Sequence, residues 1–345
     1  MAEGGKGKNG PVFIHLRVHS AYSLLEGALP LKKIIAKAIA DGQPAIGVAD
    51  TNNLFAALEF SVKASDEGLQ PIIGCQFDID MQDGEESERR NHREQLARRP
   101  SLVLIAATEG GYERLVDLVS RAYLEGSGAD AAHIRLDWLE QGTEGLIALT
   151  GAGSGPVDQA LRQGNRGKAE TRLLRLKELF ADRLYVELQR HGHHDRAHES
   201  RMVSLAYDNA LPIVATNEPF FPTPADFESH DALMAVAHNA VMSDDRRFRL
   251  TEDHYLKSQA EMAKLFSDLP EALENTVEIA RRCSFLLKTR KPILPKFTGA
   301  SDDPEEATRA EAAELSRQAW AGLERRLEQL GLAPGFTVEE YRERL

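Results

Sequence analysis

Apolar residues recur along this chain in short runs separated by longer amphipathic stretches, an alternation that belongs to βα units rather than to a sandwich or a bundle. Seven runs read as strands: PVFIHL (11–16), PAIGVA (44–49), PIIGCQFDI (71–79), SLVLIAA (101–107), GLIALT (145–150), RLYVEL (183–188) and PIVAT (212–216). The stretches between them carry helical spacing, as in LKKIIAKAIADG (31–42), whose Ile34, Ile35, Ala38 and Ile39 precede a stop at Gly42. The same spacing predicts helices over 53–68, 110–126, 168–182 and 198–210. Periodicity leaves open whether the strands make an open doubly wound sheet or a closed barrel. In either case functional groups belong at the C-terminal strand ends and in the loops that follow.

Beyond the seventh strand the pattern turns helical, over 257–266 and 271–287. A proline-containing linker (291–306) then leads to a further helix at 307–331. These shifts predict a frayed N-terminus over 1–10, a main domain with a helical extension over 11–290, and a separate segment over 291–345. The dense charge run DGEESERRNHREQLARRP (83–100) reads as a solvated loop or exposed helix.

Composition narrows the function classes. With 345 residues and 42% apolar content the chain can bury a large core. A net charge of −12 argues against a main DNA-gripping surface, because duplex binding relies on Lys and Arg neutralising phosphates. Cys75 and Cys283 are far apart and have no zinc-ribbon spacing, so a reducing cytoplasm fits better than a disulfide framework. No stretch approaches the roughly 18 apolar residues of a membrane span, and the glycine-rich start lacks a signal-peptide core.

The strand ends hold the candidate chemistry. HLRVH places His15, Arg17 and His19 in alternation, so a continuing strand would set all three on one face, a pattern that suggests metal. Asp50 ends the second run, Gln76 lies on the third, Glu187 on the sixth, and Glu218 follows the seventh. That is more polar chemistry than a bland core tolerates, since buried charges are costly unless paired.

At these residues the chain resembles a known family. HLRVHSAYSLLEG, GQPAIGVADTNNLFAALEFSVKASDEGLQPIIGCQF, IVATNEPFF, YLKSQAEMAKLF and ALENTVEIARRC, in that order, resemble the alpha subunits of bacterial DNA polymerase III, the C-family replicative polymerases. The blocks cover most of residues 11–297. The resemblance implies a PHP (polymerase and histidinol phosphatase) domain, a distorted seven-stranded (β/α) barrel, followed by a mainly helical segment leading to the polymerase palm.

It also implies a site. Metal-binding PHP domains hold up to three ions for phosphoester hydrolysis, on a His-x-His, an acid, a His, a Glu, a further His, a Cys and a final Asp-x-His. Carried onto this sequence, the first pair is Arg17 and His19, and the acid is Glu26. The next three positions are Thr51, Gln76 and Ser101. The Cys position is Ala152, and the last pair is Glu218 and Phe220. Ala152 and Phe220 offer no donor atom, and Thr51, Ser101 and neutral Gln76 are poor ligands. Arg17 brings a fixed positive charge to where a cation would sit. The expectation is a metal-free, degenerate site in which Arg17 pairs with Glu26, Glu218 or both.

Other signals have ordinary readings. HGHHDRAH (191–198) reads as a polar surface loop, and TGAGSG (150–155) as a tight βα turn lacking the full phosphate-loop pattern. Asp50 or Asn52 can cap the next helix, and Glu187 can pair with Arg190. No GxSxG elbow or convincing Cys/His pair supports nucleophilic catalysis.

The resemblance places the polymerase acids, which work with Mg2+, beyond residue 345, and FTVEEYRERL (336–345) resembles the start of the helix leading to the palm. This region is therefore expected to be inactive by itself. Three roles follow: a scaffold in the replicase that holds the proofreading exonuclease subunit, epsilon; a metal-dependent phosphoesterase (a 3′–5′ exonuclease or a pyrophosphatase); or a DNA-binding module. The lost ligands favour the first over the second, and the acidic charge weakens the third. Segment 83–100 is one exposed candidate for the epsilon contact.

Overall fold

The computed structural model describes residues 10–83, 99–126, 131–192, 195–244, 246–291, 297 and 303–345. The chain divides into two units, Met1–Lys288 and Thr289–Leu345. The charge run at 84–98 and the start of the chain lie outside the described residues.

The first unit is an α/β fold built on a curled seven-stranded sheet. Its strands are β1 (Ala45–Thr51), β2 (Gln70–Asp80), β3 (Ser101–Ala106), β4 (Ile134–Arg135), β5 (Leu146–Leu149), β6 (Leu184–Gln189) and β7 (Ile213–Thr216). The sheet order is β1-β2-β3-β5-β6-β7, with β4 paired to the far end of β2. Helices α1 (Leu31–Ala40), α2 (Ala57–Asp66), α3 (Glu109–Leu124), α4 (Leu136–Leu139), α5 (Pro156–Arg162), α6 (Arg166–Phe180), α7 (Arg196–Asp208), α8 (Phe227–Ala237), α9 (Gln259–Leu265) and α10 (Pro270–Arg282) fill the connections and the extension.

Strand after strand is buried along its length, as the unbroken apolar runs require when both faces of a sheet are covered. One apolar cluster includes Phe77, Leu104, Ala148 and Val186 from the strands with Leu118, Leu173 and Phe180 from α3 and α6. A second packs Ile72, Ile105, Ile147 and Val214 against Ile279 and Cys283 at α10. Both cysteines are buried and free.

Two features depart from the sequence reading. β3 runs antiparallel to both β2 and β5, which distorts the βα repeat. The run predicted as the first strand, 11–16, is extended but is not a strand. It lies beside β1, where the Gly47 amide donates to the His15 carbonyl and the Ala49 amide to the Val18 carbonyl, and its continuation reaches past β7, where the His19 amide donates to the Pro219 carbonyl. A single ladder bridge, Val18 to Val48, is formed. Residues 13–19 thus span the gap between the two edges of the sheet and place Arg17 and His19 at its centre.

Gly47 permits this approach. A Cβ there would lie 2.6 Å from the Leu16 carbonyl oxygen and 2.8 Å from its Cα, backbone atoms that cannot give way cheaply. Gly47→Ala is expected to destabilise the unit by about 1–3 kcal/mol through overpacking. Chemical denaturation checks this, and an unchanged midpoint would mean the segment is not seated as described.

The second unit holds α11 (Pro304–Leu330) and α12 (Val338–Glu343). Asp303 caps α11 and a left-handed Gly331 ends it, while Thr337 and Glu340 form a capping box on α12. No helix among the described residues is long and apolar enough to cross a membrane.

Candidate functional site

Among the described residues Arg17 is the largest side chain buried almost completely, and its guanidinium is the centre of the site. Nη1 donates to both carboxylate oxygens of Glu187, each at 3.1 Å. Nη2 donates to Glu218 Oε1 at 2.6 Å, to Gln76 Oε1 at 2.6 Å and to Ser154 Oγ at 3.2 Å. Nε donates to Gln76 Oε1 at 3.0 Å. Buried charges persist when paired and hydrogen-bonded in this way. Burial works against the charged form of Arg17, but Glu187 and Glu218 outweigh it and its pKa is raised.

The acids are held by their own elements. Glu187 stands on β6, where it accepts from the Gly151 amide at 3.0 Å and the Thr216 hydroxyl at 2.5 Å. Glu218 follows β7 with a left-handed φ of 48°, a backbone state uncommon for a side chain of this type. Ala152, at the Cys position of the family site, is likewise left-handed, at 43°. Such strain persists where surrounding structure over-determines it, and here both residues border Arg17 or the turn that contacts it. Gly151, also left-handed, lets that turn lie against Ser101, whose carbonyl oxygen would be 2.0 Å from a Cβ at 151. Ser154 in the same turn receives a hydrogen bond from the Ser101 hydroxyl at 2.8 Å.

His19 is fully buried. Its ring stacks on Phe220 with centroids 4.2 Å apart and planes 4° from parallel. Its Nε2 is 3.5 Å from Glu218 Oε1 and its Nδ1 is 3.2 Å from Ser23 Oγ. Thr51 donates to Glu26 Oε2 at 2.6 Å and lies 3.5 Å from His19 Nδ1. All nine positions carried over from the family pattern therefore fall in one neighbourhood, linked by these contacts. Of the two acids expected as partners of Arg17, Glu218 pairs with it and Glu26 bonds to Thr51, while Glu187 is a further partner that was not expected.

Other expectations also need correction. Arg190 does not pair with Glu187 but with Glu199 and Asp268, at 2.7 and 2.6 Å. Asp50 does not cap α2. It accepts from the Ser20 amide, the Ser20 hydroxyl and the Ser23 hydroxyl, each at 2.7 Å, and so fixes the loop carrying Glu26. Asn52 bonds to Asp78 rather than to a helix end. His191 and His198 are not on an exposed loop, for His191 stacks on His254 at 3.8 Å and His198 is buried on α7. His193 and His194 lie outside the described residues. His15 does not join Arg17. It bonds to the Lys257 carbonyl at 2.8 Å, and burial pushes its pKa down to about 4.

The donor set does not fit the metal ions of a PHP site. A guanidinium stands between the two acids, Phe220 covers one face of His19, and Ala152 contributes no donor. Among the described residues no three His, Cys, Asp or Glu side chains are grouped to hold an ion. Desolvation opposes the charged form of Glu218, but Arg17 and His19 outweigh it and hold this carboxyl well below its usual range. A depressed folded-state pKa adds stability that is complete above the ordinary value of 4.5 and is lost as pH falls below it. Thermal unfolding of the protein should therefore fall off more steeply between about pH 5 and pH 3 than that of Glu218→Gln. Parallel profiles would remove Glu218 from the acid response.

The comparisons agree with this geometry at the level of family. A family model described as "PHP domain" matches residues 15–191. The DNA polymerase III subunit alpha of Caulobacter vibrioides is 44% identical over 337 residues, which cover 97% of this chain and 28% of that protein. Its counterpart in Pseudomonas aeruginosa is 40% identical, over 92% of this chain and 26% of the relative. That of Escherichia coli K12 is 35% identical over the same shares. The chain thus spans little more than a quarter of the length of these relatives. Among solved structures, an amidohydrolase from Chromobacterium violaceum aligns over 59% of this chain and 86% of its own, with 12% identity and a TM-score of 0.39. With more than half of its residues matched by the family model, the chain belongs to the PHP domain family.

Proposed function

We propose that this chain is the N-terminal PHP region of a replicative DNA polymerase III alpha subunit, and that within the polymerase it is a non-catalytic scaffold. The reading rests on one observation above the others, the Arg17 guanidinium bonded to Glu187, Glu218 and Gln76 where a PHP enzyme would hold its ions. A phosphoesterase mechanism needs metal-activated water and cations on phosphate oxygens, and a fixed organic cation supplies no activated water. In the whole polymerase the nucleotidyl transfer is assigned to acids beyond residue 345 with Mg2+, in the cytoplasm. DNA is held by other parts of that protein, consistent with the net charge of −12 here.

The scaffold role includes binding the proofreading exonuclease subunit, epsilon. Two assays test the reading. Incubated with Mn2+ or Zn2+ and a 3′-labelled oligonucleotide, or with pyrophosphate, the protein should release no product above a protein-free control. Metal-dependent release that disappears in His19→Ala would make it a phosphoesterase. Mixed with a purified epsilon subunit, the protein should co-elute with it in gel filtration, and separate elution would move that contact elsewhere in the polymerase.

A further inference from the structure

Ala152 and Gly153, in the turn after β5, and Gln189, at the end of β6, border a cavity of about 270 Å³. These are strand ends of the kind that carry function in such folds. Arg162 of α5 and His198 of α7 border it too, and both reach the same carboxylate. Arg162 Nε donates to Asp158 Oδ1 at 2.6 Å, and His198 Nε2 forms an ion pair with Asp158 Oδ2 at 3.0 Å. Two cations thus share one anion, which leaves an excess of positive charge when His198 is protonated. Other donors on both side chains are unused. Among the described residues, His198 Nδ1 has no hydrogen-bond partner and neither Nη of Arg162 has an acceptor. His198 is 3% exposed, and buried polar nitrogens are nearly always satisfied. An imidazolium donates from both nitrogens, so this Nδ1 calls for an acceptor.

The remaining acids around the cavity already have donors. Glu187 is bonded to Arg17, Glu199 to Arg190, and Asp195 to the Ala197 and His198 amides at the start of α7. His191 is bonded to the Asn217 carbonyl. The unfilled groups of Arg162 and His198 are therefore donors that select an acceptor of negative charge. We propose that Arg162 and His198 form a binding site for a phosphate group, carried by inorganic phosphate or by the monoester end of a nucleotide. The guanidinium fork matches two phosphate oxygens, and the imidazolium Nδ1 supplies a further charge-assisted donor.

Asp158 is the positioning residue, because its two oxygens fix the two cations relative to each other. The glycine turn leaves room for the guanidinium, whose Nη2 would be 3.8 Å from a Cβ at Gly153. The rest of the cavity can take the substituent of a phosphate monoester. With the Arg162 side chain 53% exposed, solvent and salt screen the interaction, so binding is weaker than at a closed site.

The site goes beyond the scaffold reading and does not depend on it, and it uses neither Arg17 nor His19. Titration calorimetry of the protein with sodium phosphate, dAMP and deoxyadenosine tests it. Phosphate and dAMP should bind, and deoxyadenosine, which lacks the phosphate, should not. Tighter binding of dAMP identifies a nucleotide as the ligand, and equal binding identifies phosphate itself. Arg162→Ala and His198→Ala should each weaken phosphate binding by about tenfold or more, and Arg162→Lys should retain part of the affinity. Thermal unfolding without ligand establishes that each variant is folded, and the half-exposed Arg162 keeps the test decisive if His198→Ala is not. His19→Ala should leave phosphate binding unchanged, and loss there would instead place the anion at the family's position. Absence of phosphate binding in the wild type, unaltered affinity in Arg162→Ala, or deoxyadenosine binding as tightly as dAMP would overturn the assignment.

Discussion

Replacing Arg17 by alanine is expected to lower the unfolding free energy by about 3–5 kcal/mol, because it leaves Glu187 and Glu218 buried without their cation. For a unit of this size that corresponds to a fall in Tm on the order of 10 °C. Gln76 and Ser154 would lose a donor as well, so part of the loss is unsatisfied hydrogen bonding rather than charge. Calorimetry at neutral pH is the check. A variant with the wild-type Tm would mean that the two acids find other partners and that Arg17 does not organise the site.

The second large effect is a recovery. Substituting Arg17→Met together with Glu187→Gln and Glu218→Gln removes all three charges at nearly constant volume. Replacing a buried ion cluster as a whole is often neutral, while breaking it is not. The triple variant should therefore regain more than half of the loss seen in Arg17→Ala, about 2 kcal/mol or more. If it is less stable than Arg17→Ala, the cluster stabilises the fold by shape and hydrogen bonding beyond its charge balance. A double-mutant cycle between Arg17 and Glu187 measures the pairwise part.

The fold was legible where burial leaves a mark on composition. Six of the seven apolar runs became strands within a residue or two of their expected bounds, because fully buried strands leave unbroken apolar segments. The remaining run, 11–16, has the same composition but spans a gap between sheet edges, and periodicity cannot separate an extended segment from a strand that forms a ladder. Strand direction was equally hidden. Nothing in SLVLIAA distinguishes an antiparallel β3 from a parallel one. The two-residue β4 is too short to carry any pattern.

At the site, the family pattern brought nine positions to one neighbourhood, whereas the pairing of Glu187, read from nearby residues alone, was wrong. Glu187 was matched to Arg190, its neighbour in sequence, although Arg190 follows the strand and turns to Glu199 and Asp268. A cue was present: the acid Glu187 amid Leu184, Tyr185, Val186 and Leu188, and the base Arg17 between Leu16 and Val18, each needing a buried partner. Ser154 gave no such signal, since its role depends on the left-handed turn at Gly151 and Ala152. Asp50 also escaped, because its three donors come from a loop some thirty residues earlier.

The central claim is that Arg17 stands in for the ions of the PHP site. The most direct test is the metal content of the protein after equilibration with Zn2+ or Mn2+, compared between wild type and His19→Ala. The account predicts no stoichiometric metal in either protein. Stoichiometric metal in the wild type that is lost in His19→Ala would contradict it.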